Sequence, residues 1–284
     1  DSAPRVIPTM NLTVSEIADN TALITSEQQT GTTFGAKVID FYPVADIGFD
    51  YIELGLAHIS ELSDEEFEKV AQAVDASLIK AEAFNGMLPG TLKVVGDEVN
   101  AQAIHDYLDK AFARARRLGG RVVVFGSGRS RAVPEGFDTA KAWRQISNFL
   151  RMAERHAQEN DLTIAIEPLR AGECNIMNFV SEATLMASLI QMPHIAVLGD
   201  TYHMEMGSEP FSALTMAGSL LKHVHVANVM GRKYPKEGDG EKYDELFETL
   251  RGIGYDGRVS VEGGCDDFSR DARDAFKVLN KARG

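Results

Sequence analysis

Cysteine is almost missing from this 284-residue chain: Cys174 and Cys265 stand alone and far apart, so they form neither a paired zinc motif nor a disulfide framework. No apolar run approaches the roughly 18 to 20 residues needed to span a bilayer. Positive charge is in short supply as well. Forty-two acidic against 29 basic residues give a formal charge of -13, which disfavours nucleic acid as a partner, because that binding needs a basic surface. No G-x-G-x-x-G turn follows a strand in the context a dinucleotide requires. The nearest glycine-rich run, GSGRSR at 126–131, lacks the spacing and the Lys-Ser/Thr of a phosphate loop, although Arg129 or Arg131 could still meet a sugar or a phosphate there. These absences leave a protein for small neutral molecules, expected in a reducing, cytoplasmic compartment. The opening DSAPRVIP without a Met leaves a removed leader open.

What is present is an alternation. Short apolar runs of β type lie at 51–55, 79–83, 121–125, 162–166, 195–199, 223–226 and 258–261, and helical patterns lie at 64–75, 100–118, 139–160, 181–191, 211–221, 242–252 and 270–282. Strand and helix in turn imply βα units around a parallel sheet. With no linker, repeat or low-complexity tract to divide it, a chain of this length fits one (β/α)8 TIM barrel. The first strand has the weakest signal. A helix at 37–47 should follow it, yet 26–35 is polar and turn-like, and TALIT at 21–25 is the best match. Residues 1–36 are therefore read as an N-terminal segment in which strand one is sought, and 37–284 as the remainder of a single barrel domain.

Four of the strands end in metal-ligand side chains: LTIAIE at Glu167, IAVLGD at Asp200, HVHV with His225 and RVSVE at Glu262. One such residue by itself is more often a helix cap or a rim salt bridge. In a parallel barrel, however, all C-terminal strand ends share one face, so four scattered residues become one site. Two Glu, one Asp and one imidazole form a hard donor set, suited to one divalent ion, with Mn²⁺ preferred and Mg²⁺ or Co²⁺ as alternatives. His223, two residues before His225, reads as a buried, hydrogen-bonded core residue. Glu53 and Glu82 read as candidates for the barrel mouth, and Trp143 as a packing residue.

The segments GDTYHMEM around Asp200, AGSLLKHVHV to His225 and GYDGRVSVEG to Glu262 resemble those of the ketose 3-epimerases, in the sugar phosphate isomerase/epimerase group of xylose-isomerase-like TIM barrels. The likeness runs from about Lys37 onward and is strongest from Leu162 to Gly264. It implies that Glu167, Asp200, His225 and Glu262 hold the metal, that Glu167 and Glu262 also move protons, and that His203, Glu173 and an Arg after the metal His contact the sugar. For Glu53 the resemblance offers bonding to sugar hydroxyls, with a salt bridge or packing role as an equal alternative. The chain departs from the pattern in three places. Arg232 lies seven residues past His225 where the family has six, Ala227-Asn228 replaces Gly-Glu, and Arg170 stands where an Asn is expected.

Two carboxylates beside one cation suit epimerisation. A proton next to a ketone is too weakly acidic for an unaided carboxylate, whereas a cation on the carbonyl oxygen stabilises the enediolate. One Glu removes the proton from one face and the other returns one to the opposite face. The alternative is a lyase or hydratase on 3-keto-glycosides or inososes using the same enolate chemistry. An abasic-site endonuclease would need more zinc-ligating His and a basic groove. A homodimer or homotetramer is expected, with no membrane partner.

Overall fold

The computed structural model describes Arg5–Thr9, as backbone, and residues 46–284. Eight parallel strands close into a barrel in chain order: β1 (Arg5–Thr9), β2 (Tyr51–Gly55), β3 (Lys80–Asn85), β4 (Val122–Phe125), β5 (Thr163–Ile166), β6 (Ile195–Asp200), β7 (Leu221–Val226) and β8 (Arg258–Glu262). The position between β8 and β2 is filled by β1, with Thr9 level with both Glu262 and Glu53. The expected strand at 21–25, and the expected helix at 37–47 up to residue 45, lie outside the described residues. Only Val6 and Ile7 give β1 an apolar signal, and Pro8 contradicts it, because proline cannot donate to a ladder.

Helices cover the outside. After β2 come α1 (Leu56–Glu61) and α2 (Asp64–Ala76); α3 (Ala101–Arg117) follows β3; the one-turn α4 (Gly128–Arg131) and α5 (Thr139–Glu159) follow β4; and α6 (Val180–Ile190) follows β5. Next are α7 (Thr201–Met206) and the one-turn α8 (Leu214–Ala217) after β6, α9 (Tyr243–Gly252) after β7 and α10 (Phe268–Arg283) after β8. Side-chain caps fix several starts: Ser63 forms a capping box with Glu66, and Asn100, Asp138 and Asp267 each accept a first-turn amide, satisfying donors that the helix itself leaves free. The helix expected at 211–221 is instead three short turns leading into β7. Gly218 at φ +50 leaves the helical region there.

Strand alternation divides the barrel into two layers. Ile52, Leu54, Val224, Val226, Val259 and Val261 are fully buried and alternate with Glu53, His223, His225 and Ser260, which hydrogen-bond to one another across the lumen. Trp143 packs, partly buried, against the core as expected. Glu82 does not reach the mouth. It bonds the guanidinium of Arg258 through Nε at 2.6 Å and lies 3.8 Å from Arg121, residues that open β8 and precede β4, so it closes the floor. Among the described residues, no helix is long and apolar enough to cross a membrane.

Arg114, only 6% exposed, ties α3 to the end of α1. It donates to the carbonyls of Ile59 at 2.8 Å and Leu62 at 2.7 Å and to Asp64 at 2.6 Å. Arg114→Met keeps the aliphatic stem and removes these donors, so it should lower the unfolding free energy by about 2 kcal/mol. Urea denaturation measures this, and an unchanged midpoint and slope would show that the link carries no stability.

Candidate active site

Glu167, Asp200, His225 and Glu262 converge as the strand ends require: each places one ligand atom within 4.8 Å of the other three. His225 Nδ1 lies 3.3 Å from Glu167, 3.2 Å from Glu262 and 3.9 Å from Asp200. Asp200 divides its oxygens. Oδ1 caps α7 through the Tyr202 amide at 2.7 Å, leaving Oδ2 for the cluster. Three acidic oxygens and one imidazole nitrogen in this space fit a hard divalent cation.

Gly126 makes room for Glu167. A Cβ built at residue 126 would stand 2.0 Å from Glu167 Oε2, so no larger residue leaves that carboxylate where it is. Behind it, the fully buried Arg131 donates to the carbonyls of Phe125 at 2.8 Å and Glu167 at 2.6 Å. That removes Arg131 as a ligand-binding residue of the 126–131 run, since its guanidinium pins the ends of β4 and β5. Arg129 remains exposed.

Arg232 reaches the cluster from the loop after β7. Asn228 and Lys233 form an antiparallel bridge, and Gly231 and Arg232 between them take φ of +82 and +50, which turns the chain back toward the barrel. Gly264 donates to the Arg232 carbonyl at 2.7 Å, while a Cβ at Gly263 would come within 2.9 Å of that oxygen. The guanidinium then donates to Asp200 at 3.2 Å and, in a very short contact, to Glu262. Asn85, which the sequence reading missed, donates to the other Glu262 oxygen at 3.1 Å.

His203, 2% exposed, accepts the Arg170 amide on Nδ1 at 3.2 Å. Its neutral form therefore carries the proton on Nε2, which lies 3.7 Å from Asp200 and 3.5 Å from Arg232, ready to donate to a bound oxygen. Glu173 pairs with Arg170 at 2.7 Å and lies 3.9 Å from Arg232. Both guanidiniums lie over the Tyr202 ring, Arg232 at 4.8 Å and Arg170 at 5.6 Å. Tyr202 was not singled out from sequence, although its place beside His203 was a signal.

Glu53 corrects its expected role. It has no exposed surface, and its oxygens are taken by His225 Nε2 at 2.9 Å and His223 Nε2 at 2.8 Å, with the Ser260 hydroxyl also donating. With both oxygens engaged and no exposed surface, Glu53 takes the ion-paired alternative. His223 is buried and bonded as expected, with its Nδ1 unpartnered.

The electrostatics divide the carboxylates. Burial raises Glu167, reinforced by Glu262, and burial also raises Asp200 against the pull of Arg232. Burial would raise Glu262 too, but Arg232 and His225 hold it well below the usual carboxylate range. For His225, burial is outweighed by Glu53 and Glu262, which lift it well above the ordinary imidazole value.

A closed parallel α/β barrel with a hard-ligand cluster at its C-terminal face defines the class. The family model for the xylose isomerase-like TIM barrel matches residues 41–282, and the chain belongs to that family. D-psicose 3-epimerase of Agrobacterium fabrum is 28% identical over 230 residues, which cover 77% of this chain and 76% of that protein. 3-Dehydro-D-guloside 4-epimerase of Escherichia coli is 28% identical over 139 residues, or 48% of this chain and 52% of that one. The crystal structure of 3-keto-D-glucoside 4-epimerase from E. coli matches with a TM-score of 0.76 over 98% of this chain and 99% of that chain, at 19% identity, a likeness of fold.

Gly126→Ala should leave the fold intact and displace the Glu167 carboxylate, weakening divalent-cation affinity by at least about tenfold. Calorimetric titration of the variant with Mn²⁺ checks this, and unchanged affinity would show that Glu167 lies outside any metal shell.

Proposed function

We propose that this protein is a divalent-metal-dependent epimerase that inverts a ketose, or a related keto-sugar, at the carbon next to its carbonyl. The observation that carries this reading is the packing of two Glu, one Asp and one His into one site, with His203 and Arg232 directly against it. Relatives bearing the names of sugar epimerases support it. Glu167, Asp200, His225 and Glu262 would hold the cation, Mn²⁺ being preferred on donor chemistry. When bound, the cation supplies charge that stabilises the oxyanion formed as the neighbouring carbon loses its proton.

The chain's own groups do the rest. One of Glu167 and Glu262 takes the proton from carbon, and the other delivers a proton to the opposite face, so each turnover exchanges their protonation states. Arg232, held against Glu262 and Asp200, adds fixed positive charge beside the reacting oxygens. His203 offers its Nε2 proton to a substrate oxygen, and Glu173 with Arg170 borders the sugar's far end.

Incubation with ketoses and with 3-keto-glycosides in deuterated water, read by NMR, should give the epimer with deuterium at the inverted carbon. Glu167→Gln and Glu262→Gln should each abolish exchange, since an amide cannot serve as a base. An unsaturated or hydrated keto-sugar would point instead to the lyase chemistry. Full-rate epimerisation by both variants would overturn the two-carboxylate mechanism.

Metal affinity should also rise with pH. His225, Glu167 and Asp200 all have raised values, so each keeps its proton to higher pH, and a cation must displace those protons. Mn²⁺ titrations in two buffers of different ionisation enthalpy measure the release. Affinity falling with rising pH would contradict the ligand set.

A further inference from the structure

We infer that Glu53 is a positioning residue for His225, fixing Nε2 as the protonated nitrogen and leaving Nδ1 as the atom that meets a metal; this rests on the metal reading above. The two faces of the His225 ring have different surroundings. Nε2 meets Glu53 Oε1 at 2.9 Å, whereas Nδ1 faces Glu262 at 3.2 Å and Glu167 at 3.3 Å. An imidazole whose Nε2–H is held by a carboxylate can offer a lone pair only from Nδ1, and the partner raises its basicity as a ligand.

Glu53 is built for this task. A lone buried carboxylate is strongly disfavoured, and three donors answer it: His225, His223 at 2.8 Å and the Ser260 hydroxyl, with Tyr51 in turn 3.0 Å from Ser260. Both oxygens are engaged, Oε1 by His225 and Oε2 by His223 and Ser260, so the carboxylate faces donors on every side. The contact crosses the lumen, since β2 and β7 are not neighbours in the barrel. Glu53 thereby sets the His225 ring angle from a wall that supplies none of the four ligands.

The test is Glu53→Gln in the full chain, with Mn²⁺ affinity measured by calorimetry and the Co²⁺-loaded protein examined by proton NMR in water. Wild type should show a hyperfine-shifted imidazole N–H that disappears in deuterated water. In Glu53→Gln this signal should move or broaden, and Mn²⁺ affinity should fall by about 10- to 100-fold. Ser260→Ala provides the test if the Gln variant fails to fold: it removes one donor to Glu53 and should weaken Mn²⁺ binding about threefold. Unchanged affinity and an unchanged N–H signal in the folded variants would overturn the inference alone. Absence of Mn²⁺ binding by the wild-type protein would overturn the metal reading and this inference together.

Discussion

Acidic oxygens packed closely around a single imidazole repel one another, and the rest of this molecule is arranged around that repulsion. Glu167, Asp200 and Glu262 face His225 on one side, with Glu53 on the other. Like charges in a buried site drive protons on or draw cations in. Burial raises Glu167 and Asp200, while Arg232 and His225 hold Glu262 well below the usual carboxylate range. A cluster so arranged has the donor chemistry of a divalent-cation site, and the proposed proton transfers draw on the same groups.

The barrel makes the cluster rigid, and small residues let it close. Gly126 leaves space that any Cβ would deny to Glu167, and Gly263 admits the carbonyl of Arg232. Arg232 itself adopts φ +50, a conformation unfavourable for a residue with a side chain. A short bridge between Asn228 and Lys233 and the bond from Gly264 hold it there. From that position the guanidinium reaches Asp200 and Glu262.

Seven strands were legible because their β-branched and apolar runs are short, bounded and regularly separated by helical periods. β1 was not, since Pro8 interrupts a run of only two apolar residues and the strand is identified by its pairing with β2 and β8. The turns at 211–220 kept a helical pattern of apolar residues but were broken by Gly218. Glu53, Glu82 and Arg131 could not be assigned from sequence. Each lies on a barrel element near polar partners, and whether such a residue meets solvent, floor or lumen depends on neighbours up to 207 positions apart, the separation of Glu53 from Ser260.

The sequence by itself determined the alternation of strand and helix and the donor chemistry of Glu167, Asp200, His225 and Glu262, because those properties are local: a period of two, a run of β-formers, a carboxylate at a strand's end. Only the tertiary structure decided that the four share a space of 4.8 Å, that the loop after β7 brings Arg232 to them, and that Glu53 lies buried against His225 and His223. Barrel closure sets those relations, since it fixes strand register and so the depth at which each side chain enters the lumen.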